Sequence, residues 1–107
     1  MRSLHNETYY EAKLRDGVRD LGGLCLKFVS PGFVGVPDRI ILLPGGSILF
    51  AEMKAPGKTE RPRQKYVHTL LRRLGFKVYA AVDSVEKIEV ILDDCRERIT
   101  RRKEVSG

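Results

Sequence analysis

Two acidic residues and a lysine are spaced along the chain so that a hairpin could bring them together. Asp38 follows Pro37, thirteen residues separate it from Glu52, and Lys54 lies two positions further on. Adjacent carboxylates repel each other unless one is protonated or a cation lies between them. Mg²⁺ prefers one or two carboxylates together with water and substrate phosphate. These residues therefore predict a divalent-cation site in which the lysine activates water or stabilises charge on a phosphate.

A hairpin is predicted around these residues, with strands at 38–43 and 48–54 joined by a turn at 44–47. Side chains alternate along a strand, so Glu52 and Lys54 project from one face while Met53 points into the opposite layer. Asp38 then stands at the start of its strand, beside the strand that carries Glu52. The hairpin is therefore the element that would assemble the site.

The remaining elements are predicted from hydrophobic periodicity and from glycine and proline positions. They are helix 6–21, strand 24–29, helix 62–74, strand 76–82 and a last helix that opens on a capping box of Asp83 and Glu86. The apolar stripe of the second helix is predicted at Val67, Leu70, Leu71 and Leu74. Residues 100–107 are polar and are predicted to fray. This order predicts a single α/β domain over residues 1–107, with helices packed around a four-stranded sheet.

Composition narrows the class of protein. The chain has 107 residues and a net charge of +6, which suits one domain with a polyanionic partner rather than a small-molecule substrate. No apolar run approaches the roughly 18 residues of a membrane helix, and the N-terminus is charged where a signal peptide is apolar. We therefore expect a soluble intracellular protein without a membrane partner. Cys25 and Cys95 are predicted to be buried free thiols.

The motif resembles the PD-(D/E)XK nuclease superfamily, whose signature Pro37-Asp38 and Glu52-Met53-Lys54 match. Within that superfamily the chain resembles the VRR-NUC family of virus-type replication-repair nucleases. The likeness rests on Lys27-Phe28, Gly35-Val36-Pro37-Asp38-Arg39, Glu52-Met53-Lys54-Ala55-Pro56, Gln64 and residues 70–75. It implies a restriction-endonuclease-like αβββαβ core with a four-stranded mixed sheet and an extra C-terminal helix.

The resemblance further implies a divalent-metal-dependent DNA endonuclease that uses Mg²⁺ or Mn²⁺. It implies branched or four-way junction DNA as substrate, as for Holliday-junction resolvases in DNA repair, and the cytoplasm of a bacterial or phage-infected cell. An acidic residue of the first helix is implied at the site, and of Glu7 and Glu11 we favour Glu11. The implied catalytic residues are Glu11, Asp38, Glu52, Lys54 and Gln64. The implied metal ligands are Asp38, Glu52, Glu11 and the carbonyl of Met53.

Two further surfaces are candidates for contacts. A basic segment at the start of the second helix would bind DNA phosphates, although a solvated face explains it equally simply. Its residues are Lys58, Arg61, Arg63 and Lys65. One domain carries one site, so paired cuts would require a homodimer, for which the apolar loop 33–36 is a candidate interface.

Competing interpretations remain at this point. Glu11 would pair with Arg15 if it served only as a helix-surface residue. The element order also suits a non-catalytic nucleic-acid-binding module, such as a double-stranded RNA-binding domain, or a subunit of a larger replication or repair assembly. The acidic pair discriminates between them, because a pure binder gains nothing from two carboxylates that face phosphate.

Overall fold

The computed structural model describes residues 6–106, and its elements follow the predicted order. They are α1 (Glu7–Asp20), β1 (Leu24–Lys27), β2 (Arg39–Leu42), β3 (Ile48–Met53), α2 (Pro62–Arg73), β4 (Lys77–Val82) and α3 (Val85–Ser106). The α/β class is therefore confirmed. The hairpin strands are shorter than predicted, because β2 begins after Asp38 and β3 ends before Lys54. Both residues thus lie where the chain enters or leaves the sheet.

The four strands form one mixed sheet in the order β1-β2-β3-β4, as expected. Strands β1, β2 and β3 pair antiparallel, whereas β4 runs parallel to β3. A parallel pair needs a long crossover, and α2 provides it between β3 and β4. The register opposes Arg39 to Ala51 and Ile41 to Leu49. This pairing places the beginning of β2 beside the end of β3.

Helices α1 and α3 cover one face of the sheet and form the main core with it. Their predicted apolar stripes are buried, with Leu14 and Val18 from α1 and Ile88 and Ile91 from α3 fully inaccessible. The sheet contributes its inward residues Cys25, Ile41, Leu43, Leu49, Ala51 and Met53. Cys25 and Cys95 are buried free thiols, as predicted. Burial on this scale is the main stabilising force of the domain.

Helix α2 covers part of the opposite face. Val67 is buried as expected, but Leu74 is 74 % exposed, because the helix ends at Arg73 and Leu74 is only its cap. His68 is completely buried instead and contacts Glu60, a partner that lies in the preceding loop. The predicted stripe was therefore wrong at its last position. A buried imidazole needs such a polar neighbour, since burial of an unpaired polar group is costly.

The start of α1 agrees with the boundary predicted from the sequence, whereas the start and the end of α3 differ from the prediction. The Asn6 side chain accepts from the backbone N–H of Tyr9 at 3.0 Å and so caps α1 at its predicted start. In α3 the predicted capping box is wrong, because Ser84 Oγ accepts from the N–H of Lys87 while Asp83 pairs with the ammonium of that lysine. α3 also continues to Ser106, through residues for which we predicted fraying.

None of the helices within residues 6–106 is both long and apolar enough to cross a membrane.

Candidate active site

Asp38 and Glu52 meet at one end of the sheet. Asp38 directly precedes β2 and Glu52 is the second-last residue of β3, so the antiparallel register brings them side by side. The Oδ1 atom of Asp38 accepts a hydrogen bond from the backbone N–H of Met53 at 3.1 Å. The Met53 side chain is 1 % exposed and lies in the core. The hairpin therefore assembles the carboxylate pair as the sequence predicts.

Glu52 is held by two partners on its own face of the sheet. Its Oε2 atom accepts from Gln64 Nε2 at 3.1 Å and lies 3.5 Å from Lys54 Nζ. Lys54 Nζ in turn donates to Gln64 Oε1 at 3.0 Å, which closes a ring of three side chains. Gln64 Oε1 also accepts from the N–H of Arg61 and so caps the start of α2. Gln64 thus lies both in the first turn of its helix and in contact with Glu52.

One oxygen of the site has no partner. Glu52 is 4 % exposed, and its Oε1 atom is buried without a hydrogen bond from any residue within 6–106. A buried carboxylate oxygen without a donor is destabilising, and such groups in native proteins usually serve a function. The atom is a candidate ligand for a cation.

The surroundings of Asp38 and Glu52 raise the pKa of both carboxyls. Burial, together with the negative charge of Glu52, raises the pKa of Asp38 to about 7 against the lowering effect of the Met53 N–H. Burial likewise raises the pKa of Glu52, although Lys54 and the backbone N–H of Asp38 oppose this effect. Both carboxyls therefore resist ionisation in the protein alone. A bound divalent cation would remove the strain, because it attracts both carboxylates.

Helix α1 brings two more carboxylates to Asp38. Oxygens of Glu7, Glu11 and Asp38 all lie within 4.8 Å of one another, a spacing that one metal ion could bridge. Glu11 is further fixed by Arg39, whose Nη2 lies 3.3 Å from its Oε2. The alternative pairing with Arg15 is wrong, since that arginine binds Asp16. The structure thus places both glutamates at the site and gives Glu11 the better-defined position.

A hard divalent cation suits this donor set. The described donors are carboxylate oxygens, which Mg²⁺ and Mn²⁺ prefer over the nitrogen and sulfur ligands of zinc sites. The unpartnered Glu52 Oε1 and the crowded carboxylates beside it are what such an ion would satisfy. The residues therefore fit a divalent metal.

Arg39 has a role at the site that the sequence did not reveal. Arg39 belongs to the sequence motif, but the motif alone implies no function for it. Strand alternation was the available signal, because it places Arg39 on the face that packs against α1, where a largely buried cation needs an acidic partner. Which acid it would meet depends on how α1 crosses the sheet, and this is not readable from local spacing.

The predicted basic segment lies at the surface around the start of α2. Lys58, Arg61 and Lys65 are exposed. Arg63 is exposed too, but its guanidinium is already engaged, since Nε donates to the carbonyl of Val34 at 2.8 Å. The positive end of the α2 dipole points the same way, so this surface can attract phosphate next to the carboxylates.

The fold and this arrangement define the restriction-endonuclease-like class, with an acidic site at the end of a mixed sheet and helices on both faces. No family profile matches the chain. The curated "Putative nuclease p44" of Acyrthosiphon pisum secondary endosymbiont phage 1 is 48 % identical over 75 residues, which cover 70 % of this chain and 81 % of that protein. A solved structure described as a VRR_NUC domain superposes with a TM-score of 0.74 at 27 % identity, over 81 % of this chain and 94 % of that one.

The chain therefore belongs to the VRR-NUC family of nucleases.

Proposed function

We propose that this nuclease is a divalent-metal-dependent DNA endonuclease that hydrolyses phosphodiester bonds. The observation that carries the proposal is the buried, unpartnered Oε1 of Glu52 beside Asp38, whose pKa is raised to about 7. Such a pair is unfavourable in the protein alone and favourable around a cation. The same site holds the ammonium of Lys54, which phosphate chemistry can use.

The metal ligands would be Asp38, Glu52, the carbonyl of Met53 and Glu11. When Mg²⁺ or Mn²⁺ is bound there, it supplies Lewis acidity and lowers the pKa of bound water. We favour Glu11 over Glu7 because Arg39 holds its carboxylate in place. Both glutamates nevertheless lie near Asp38, and paired variants of each would decide between them.

Lys54 and Gln64 would act on the reacting groups in different ways. Lys54 Nζ would orient the attacking water or stabilise the negative charge that builds on the phosphate. Gln64 holds both the Lys54 ammonium and Glu52, so it sets the distance between the cation and the carboxylate. Its task is to position these two groups. No covalent enzyme intermediate is required, because water attacks directly.

DNA is the proposed substrate. Three exposed cations around the start of α2 would contact its phosphates, namely Lys58, Arg61 and Lys65. The net charge of +6 also favours a polyanionic partner. Branched or four-way junction DNA is favoured, as the resemblance to the VRR-NUC family implies. The membership in a family with a phage relative is consistent with a role in DNA processing.

A homodimer would supply the two sites that paired cuts need. The loop 33–36 is one candidate interface, and the sheet offers a second. Leu24 and Leu26 of β1 are 56 % and 43 % exposed on the face that α2 leaves uncovered. Sedimentation of the wild type and of Leu26→Asp would test this second surface, and a monomer at high concentration in both would exclude the dimer.

A cleavage assay tests the proposed function. Labelled four-way junction, flap, single-stranded and duplex DNA would be incubated with Mg²⁺, Mn²⁺ or EDTA, for the wild type and for Glu52→Ala. We expect metal-dependent products that disappear in the variant, with junction or flap DNA cut fastest. DNA binding without products under any metal condition would contradict the catalytic proposal and favour a binding module or a subunit of a larger assembly.

A further inference from the structure

Three side chains form a layered surface next to the candidate active site. The Cζ atom of Arg63 lies 4.8 Å from the ring centroid of Phe33 and 5.2 Å from that of Tyr66. Arg63 Nε also donates to the carbonyl of Val34. We call Phe33, Arg63 and Tyr66 the stacking platform. It joins the loop 33–36, which the sequence offers as a candidate dimer interface, to the first two turns of α2.

The platform is fixed by close packing of its loop on α2. Gly35 has φ +101°, and a Cβ there would lie 2.9 Å from Arg63 Cγ and 3.0 Å from a methyl of Val67. Only glycine permits this approach, since both the backbone angle and the space exclude a side chain. Pro37 follows and is fully buried. Aromatic groups held in this way lose little conformational entropy when a ligand binds.

Packing alone does not explain the exposure of these rings. Phe33 is 43 % exposed and Tyr66 53 %, and neither lies in the main core. If the cation–π contacts served only to fix the loop on α2, the rings would be expected to pack inward. Instead, much of each side chain is exposed to solvent. Large aromatic side chains that are rigid, exposed and next to an arginine are the elements on which nucleic-acid bases stack.

The platform is connected to the candidate active site at two points. Gln64 directly follows Arg63 in the chain and binds Glu52. On the loop side, Asp38 lies three residues after Gly35. The platform residues are thus within a few positions of Asp38 along the loop and of Gln64 along α2. The positive charges of Arg61 and Lys65 flank the same helix turn and suit the strand's backbone.

We propose that the stacking platform binds one unpaired nucleobase next to the phosphate that is cut. This inference rests on the proposed nuclease function and adds a reason for its substrate class. In an intact duplex each base is stacked and paired, so a base must first be unstacked before it can bind elsewhere. At a branch point, a flap or a single strand the base is already available. The platform would therefore select DNA with an unpaired base at the cut.

The test measures stacking without cleavage. Flap and junction DNA with 2-aminopurine at the unpaired position would be titrated with protein in EDTA, and the same probe in a full duplex would serve as the reference. We expect the wild type to change the fluorescence of the unpaired probe and to leave the paired one unaffected. An abasic site at that position should weaken binding roughly five- to hundredfold, the range that one stacked base contributes.

Phe33→Leu and Tyr66→Leu keep the apolar bulk of the platform but remove its aromatic faces. Both should lose the fluorescence change and the preference for an unpaired base, while their thermal unfolding remains close to wild type. Leu74→Ala is the matched control, because Leu74 is exposed at the far end of the same helix. It should bind every probe as the wild type does.

The outcomes separate this inference from the function on which it rests. Unchanged affinity and fluorescence in both leucine variants would overturn the platform, even if the enzyme cuts DNA. A lower sedimentation coefficient with unchanged DNA binding would assign these residues to contact with a second copy of the chain and would overturn it as well. Stacking that disappears in the variants, in a protein that cuts nothing, would support the platform and contradict the nuclease proposal alone.

Discussion

The pKa values of two partly buried aspartates, Asp94 on α3 and Asp38 before β2, are shifted in opposite directions. Asp94 on α3 accepts from the hydroxyl of Tyr79 at 2.6 Å and from Arg98 Nε at 2.8 Å. Burial acts to raise the pKa of Asp94, but these two donors hold it below the usual value. Asp38 is buried too, yet it has one backbone donor and faces other carboxylates, so its pKa rises to about 7.

The difference separates a structural carboxylate, Asp94, from the proposed metal ligand Asp38. The negative charge of Asp94 is compensated by its two donors, Tyr79 and Arg98. Arg98 also donates to Ser47 Oγ at 3.0 Å, and this hydrogen bond joins α3 to the β2–β3 turn. The Asp38 site has more negative charge than its donors within residues 6–106 can satisfy, and Glu52 Oε1 is buried without a partner among those residues. Uncompensated charge of this kind is retained where a ligand will bind, because it weakens the fold otherwise.

The largest effect is expected from Asp38→Asn. The variant loses a proposed metal ligand, so cleavage should fall by about a thousandfold or more, as for other groups that act directly on the reacting charge. Unfolding in urea with EDTA should show no loss of stability, because the change also removes a repelled charge. An active Asp38→Asn protein, or one that fails to fold, would break the contrast between the two aspartates.

Gln64→Ala should have a smaller effect on cleavage, of roughly ten- to hundredfold, which is typical for groups that orient metal ligands. The variant leaves Lys54 and Glu52 in place but removes the amide that holds both of them. Thr69→Ala is the matched control on the same helix, since its hydroxyl binds only a carbonyl of its own helix. Equal rates for the two variants would show that Gln64 serves only as the helix cap.

Asp94→Asn should affect stability and leave cleavage within about twofold. It weakens charge-assisted hydrogen bonds from Tyr79 and Arg98, so we expect a loss of about 1–3 kcal/mol in the free energy of unfolding. Urea denaturation measures this loss, and the cleavage assay provides the other half of the comparison. A large loss of activity in a folded Asp94→Asn protein would assign the α3 cluster to the reaction.

The fold was predictable because its signals are local. Period-two alternation and the Pro-Gly-Gly turn define the hairpin, and the hairpin alone brings Asp38 next to Glu52. Gln64 could be assigned to the site only through the family resemblance. Its contact with Glu52 depends on how closely α2 packs on the sheet, and residue spacing does not contain that information.

Other contacts escaped prediction for related reasons. The pairing of Glu11 with Arg39 depends on the crossing of α1 over the sheet, and the burial of His68 depends on a partner from the loop before α2. At the start of α3, Asp83 and Ser84 are both good caps, and the choice between them is settled by where the preceding strand releases the chain. Long-range geometry decides each case.

The smallest effect concerns pH and sharpens the comparison without any substrate. A carboxyl whose pKa is raised to about 7 binds a proton in the folded protein that the unfolded chain has lost above about pH 4. In EDTA, the Asp38 site should therefore lower the free energy of unfolding as pH rises from about 4 to about 7, by roughly 1–2 kcal/mol once solvent screening is included.

Asp38→Asn should remove most of this slope, and the wild type in saturating Mg²⁺ should regain stability above pH 7, where ionised Asp38 can bind the ion. A slope that Asp38→Asn leaves unchanged would show that Asp38 is not the titrating group, and the distinction from Asp94 would then rest on hydrogen bonding alone.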